Sequence, residues 1–142
     1  MIRSAARAMA TYQEVQVTSR SPLELVVMLY DGAIANLRQA HDGMTRGHLV
    51  AKRNGMKKAL EIVQHLQSSL DMEAGGEVAA QLDALYRDVV TRVLEANVQT
   101  TPALLEEAIQ LLTTVREAWH AIAVAPAPTM PVESPDRVLA AP

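Results

Sequence analysis

The sequence has no cysteine and no phenylalanine, and only 3% of its 142 residues are aromatic. The missing thiols exclude disulfides, thiolate nucleophiles and cysteine-based zinc sites. So few aromatics leave no stacking platform interleaved with basic residues, as single-stranded nucleic acid would need. There is no basic surplus either. Lys and Arg number 13 against 16 Asp and Glu, a formal charge of -3, which is the wrong sign for a duplex-binding module. No apolar run reaches the roughly 18 residues of a membrane-spanning helix. Met1 to Ala10 carries Arg3 and Arg7 without an apolar centre, which argues against a secretory signal. It is Arg-bearing and acid-free like a mitochondrial presequence, but short, and Glu14 follows soon. The expectation is a cytosolic protein, without membrane or nucleic acid as partner.

What is present is aliphatic: 49% of the chain is hydrophobic, and Leu, Val, Ile, Met and Ala must build the core. The length suits one domain. Residues 1–20 read as a polar lead. Ser21-Pro22-Leu23-Glu24 is a strong helix start, with a capping hydroxyl, proline at the first helical position and a glutamate able to reach back. This spacing predicts a first helix to about Thr45, ended at Arg46-Gly47. A second is predicted from about His48 to Leu70, and a third from the Gly75-Gly76 break to about Val98. A fourth opens at Thr101-Pro102 and runs to about Val124. Residues 125–142 hold five of the seven prolines and read as a disordered tail. Short links between four long helices imply an all-α, antiparallel up-and-down four-helix bundle over 21–124, with an N-terminal segment able to pack on it.

Apolar residues at helical spacing assign the core. The stripes are Leu23, Val26, Val27, Tyr30, Ile34, Leu37 and Met44 on the first helix, and Met56, Ala59, Leu60, Val63, Leu66 and Leu70 on the second. On the third they are Val78, Leu82, Leu85, Val89, Val93 and Ala96, and on the fourth Leu104, Ala108, Leu111, Val115 and Ile122. Further apolar residues fall outside these stripes. They are Leu25, Met28, Leu29 and Gly32 on the first helix, Ala79, Tyr86, Val90 and Leu94 on the third with Asn97 on their line, and Leu105, Leu112 and Trp119 on the fourth. A wide core stripe would account for them, as would a fifth helix from the lead. So would an open groove for a partner helix, with Gly32 and Ala79 admitting its backbone and adaptable Met28 in contact. Met9 and Tyr12, three apart in the lead, would share a helical face and could form a removable lid over that groove.

Little else suggests chemistry. Glu117 and His120 form a Glu-x-x-His pair, but a di-iron bundle needs two such pairs and two more inward carboxylates. Glu61 and His65 have the wrong spacing, and both pairs read as solvent-facing. His41 and His48 lie near helix ends. No serine stands in a nucleophile elbow, and Gly75-Gly76 follows no strand. The expectation is a non-enzyme with no metal and no cofactor. Arg46, Lys52, Arg53, Lys57 and Lys58 form a basic run, read as a solvated face or a docking patch for an acidic partner.

The stretch Ser21-Pro22-Leu23-Glu24-Leu25 with Leu29-Tyr30-Asp31-Gly32-Ala33-Ile34 resembles the opening of the FliS family of flagellar export chaperones. The likeness continues at Leu70-Asp71, Gly75-Gly76-Glu77-Val78-Ala79, Leu82 and Leu85-Tyr86. It closes with Leu94-Glu95-Ala96-Asn97, Leu111-Leu112 and Ala118-Trp119, covering Tyr12 to about Trp119. It implies a cytosolic bundle that binds the disordered C-terminal region of flagellin, prevents premature assembly and assists delivery to the type III export gate. It also implies a shielding N-terminal segment, carried onto Met9 and Tyr12. Arg20 departs from the small residue usual before the Ser-Pro cap, and the proline-rich tail is not a family hallmark. An adaptor bundle that uses the same surface to form a homodimer is the competing reading.

Overall fold

A computed structural model describes residues 22–125. The lead with Met9 and Tyr12, the capping Ser21 and the tail from residue 126 lie outside the described residues. Four helices follow one another: α1 Pro22–Arg46, α2 Leu49–Ser68, α3 Gly76–Gln99 and α4 Pro102–Val124. Their ends fall within two residues of those predicted.

The sequence chemistry explains most of these ends. Pro22 opens α1 with Glu24 in its first turn, where a carboxylate favours the positive end of the helix dipole. Gly47 stops α1 in the left-handed region, at φ 74°. The His48 N–H then donates back to the Gly43 carbonyl at 2.8 Å, which closes the helix with a Schellman turn. The end of α3 uses the same device with a poorer residue: Thr100 sits at φ 50°, and the Thr101 N–H donates to the Ala96 carbonyl at 3.1 Å. One expected cap is not made. The Thr101 side chain forms no cap bond to α4; its hydroxyl turns back and donates to the Gln99 carbonyl at 3.2 Å.

Cross-helix contacts fix the direction of each pair. Along α1 and α4, Asp31 meets Arg116 and His41 meets Glu106, so the numbers rise on one helix as they fall on the other. Gly43 faces Lys52, Gly55 faces Ala40, and Gly32 faces Ile62, which makes α1 and α2 antiparallel in turn. Arg92 and Glu107 bridge α3 and α4, and Gln67 donates to Asp83 across α2 and α3 at 2.9 Å. The result is a four-helix ring in which α1 packs most closely on α2 and α4, and α2 and α3 share the least contact.

The α1–α2 contact is backbone against backbone. A Cβ on Gly55 would lie 2.4 Å from the Asn36 carbonyl oxygen, and one on Gly43 would lie 2.6 Å from the Lys52 nitrogen. Only glycine permits this approach. At the centre, Tyr30, Tyr86, Leu37, Leu66, Leu105 and Leu112 are fully buried.

Candidate functional site

Burial revises the assignment of faces. On α4 the predicted inward face turns outward except at Ala108, which is buried as expected. Leu105, Ala108, Leu112 and Trp119 are buried, whereas Leu104, Leu111 and Val115 are only partly covered and Ile122 is exposed. Both stripes are apolar and periodic, so the period alone cannot choose between them. The stripe holding Trp119 goes inward because the largest apolar side chain gains most from leaving water. On α3, Ala79 and Tyr86 belong to the core, while Leu85 lies on its edge and Val78 outside it. On α1, Leu25 is buried and Leu23 is on the rim.

Leu25, Ala79 and Tyr86 are therefore not part of an open face. Of the other predicted groove residues on α1, Met28 is exposed, Leu29 is half-buried, and Gly32 is turned towards α2, where a Cβ on it would lie 3.4 Å from the Ile62 methyl. The α3 residues Val90, Leu94 and Asn97 are half-buried or exposed. Because α1 and α3 stand on a diagonal of the ring, these two sets do not join into one groove.

Two apolar seams replace it, one on each flank of α3. On the α2 flank, the Gln67–Asp83 bond sets the register. Seven residues further along each antiparallel helix, Leu60 comes opposite Val90, and Leu94 lies one turn beyond. On the α4 flank, Leu85, Leu111 and Val115 line a cleft of about 320 Å³, with Gln110, Thr114, Arg92 and Glu107 at its polar edge. Arg92 bridges Asp88 at 3.2 Å and Glu107 at 3.8 Å, closing one end. Towards the other end stand Val78 and Ile122, both exposed. Helical spacing alone assigns the apolar residues of this cleft, Leu85, Leu111 and Val115, to the core. The bulk of Trp119 on the competing stripe was the signal that could have corrected it.

No catalytic constellation accompanies these seams. Among the described residues, no three His, Asp or Glu side chains gather as a metal site would require. Glu117 pairs with Arg116 and His120 is exposed. Glu61 and His65, expected in solvent, are half-buried. The strongly perturbed groups are structural. Burial pushes the Tyr30 hydroxyl up to about 12 and that of Tyr86 higher still, with the neighbouring Tyr30 adding to the rise. The Trp119 indole nitrogen is buried close enough to favour ionised Tyr30, yet it lies outside hydrogen-bond geometry.

Residues 5–126 match the family model described as flagellar protein FliS. The chain is 39% identical over 110 residues to the flagellar secretion chaperone FliS of Salmonella typhimurium, covering 77% of this chain and 82% of that protein. It is 35% identical over 119 residues to FliS of Vibrio cholerae, covering 81% and 88%. With the flagellar secretion chaperone FliSB of Pseudomonas aeruginosa, identity is 37% over 122 residues, covering 83% and 97%.

Proposed function

The chain belongs to the FliS family, and on that premise we propose that it is a cytosolic export chaperone for flagellin. It binds the disordered C-terminal region of flagellin, keeps it from polymerising and assists its delivery to the type III export gate. It performs no chemistry of its own. The observation that carries this reading is the distribution of apolar side chains around α3. Tyr86, Val89 and Val93 face the core, Leu85 lines the α4 seam, and Val90 and Leu94 line the α2 seam. A helix apolar on so many sides wants cover on its flanks, and an amphipathic client that folds on contact supplies it. Met9 and Tyr12 of the lead shield part of this surface until the client displaces them.

Coupled folding moderates the affinity, because ordering the client costs about 2–5 kcal/mol of the gross interaction. Release then needs no nucleotide hydrolysis. Titration calorimetry against a peptide from the C-terminal region of the same organism's flagellin tests the reading. Near-stoichiometric binding is expected, with a negative heat-capacity change and a gain in helicity. A folded chain that shows no binding at tens of micromolar, and whose mass rises with concentration, would overturn it in favour of a homodimerising adaptor.

A further inference from the structure

The first half of α2 combines two features that the client seams do not use. Residues 49–58 hold Lys52, Arg53, Lys57 and Lys58 and no carboxylate. None of these four cations forms an ion pair among the described residues, whereas Arg46, Arg87, Arg92 and Arg116 all do. In a chain of net charge -3 this is a local concentration of uncompensated positive charge. At the same end of the bundle stand Leu49, 58% exposed, and Val50, 69% exposed, with Val98 at 83% on the last turn of α3. Solvation explains exposed lysines, but it does not explain three large aliphatic side chains left in water beside them.

The corner that presents them is rigid. Gly43 and Gly55 bring the α1 and α2 backbones into contact, and the link between these helices is only Gly47 and His48. A partner docking here would not have to order the surface first.

We propose that this corner is a second docking surface, separate from the client seams, for a protein face that places carboxylates around an apolar centre. Charge complementarity selects that partner. A lipid surface is the poorer match because the corner has no aromatic anchor among the described residues, where Tyr30, Tyr86 and Trp119 are all buried. Nucleic acid is poorer still, since its phosphates offer nothing to the aliphatic centre.

The test uses the full chain and a synthetic helical peptide with leucine on one face and glutamate on its flanks. A lysine-for-glutamate version, phosphatidylglycerol vesicles and a DNA duplex serve as comparisons. The acidic peptide is expected to bind in a salt-sensitive manner. The pair Arg53→Glu and Lys57→Glu should weaken it about tenfold or more, as should Val50→Asp, while Leu111→Asp in the α3–α4 cleft leaves it unchanged. Arg53, Lys57 and Val50 are exposed and Leu111 is only partly covered, so an unaltered helical melting curve verifies the fold of each variant. The surface is misassigned if the lysine peptide binds equally well, if charge reversal changes nothing, or if vesicles or duplex bind more tightly through the same residues.

Discussion

The hydroxyls of Tyr30 and Tyr86 meet across the diagonal of the bundle, 2.5 Å apart, in a site without solvent access. Each is the other's hydrogen-bond partner. Tyr86→Phe therefore strands the Tyr30 hydroxyl, at a cost of about 1–3 kcal/mol. Replacing both with Phe removes donor and acceptor together and is expected to cost less than the two single changes summed. Urea titrations of the four proteins close the cycle, and strict additivity would show that the bond contributes nothing of its own.

The same pair predicts an alkaline limit. Tyr30 loses its proton at about 12 in the folded protein against 10.0 ordinarily, and Tyr86 holds its proton more tightly still. The folded state thus keeps protons that the unfolded chain gives up. This stability is fully present below pH 10 and drains away as pH rises towards and past 12. The slope is up to about 1.4 kcal/mol per pH unit for each tyrosine. Unfolding free energies from pH 8 to 11.5 should fall in the wild type, and fall less steeply in the double Phe variant.

Two glycines of α1 and α2 should respond to alanine in opposite directions. In Gly55→Ala the new methyl meets the α1 backbone at 2.4 Å, so the helices must separate, at about 1–3 kcal/mol or more. In Gly32→Ala it meets only the tip of Ile62 at 3.4 Å, and the gain in helix propensity, roughly 0.5–1 kcal/mol, prevails. Thermal melts of the two variants distinguish packing at a backbone from packing at a flexible end.

Leu111 and Leu112 are neighbours with different duties. Leu112→Ala opens a cavity in the core and should cost about 2–5 kcal/mol. Leu111→Asp changes a half-covered residue of the α4 seam; the fold should survive while affinity for the flagellin peptide drops about tenfold or more. Denaturation and calorimetry on both variants test the revised face assignment. If Leu111→Asp unfolds the chain and Leu112→Ala does not, the faces are reversed.

Thr100 marks a strained point. It ends α3 at φ 50°, a region β-branched residues avoid. Thr100→Gly relieves the strain and should stabilise the protein by about 1 kcal/mol, read as a higher denaturation midpoint with an unchanged slope.

The helices were legible in the sequence because their ends are written in local chemistry: Pro22, Gly47, Gly76 and Pro102 act within one turn of themselves. The inward face was legible only where one stripe is apolar. On α2 the predicted residues Met56, Ala59, Val63 and Leu66 are buried, with Leu70 just beyond its end; Leu60 is only partly covered, and the buried Ile62 was not in the predicted stripe. On α4 two apolar stripes compete, and the outcome depends on where α1 and α3 stand, which no local spacing encodes. The same reason undid the single groove proposed from α1 and α3. Leu29 and Leu94 look equivalent on helical wheels, yet the ring puts their helices on a diagonal.

The link between α2 and α3 spans residues 69–75, whereas each of the other two links spans only two residues. The glycine contact fuses α1 to α2, the Asp31–Arg116 pair holds α4 on α1, and of the four neighbouring pairs α2 and α3 share the least contact. The ring is therefore tight on three sides and slack on one, so the side that costs least to widen is the one spanned by the longest link.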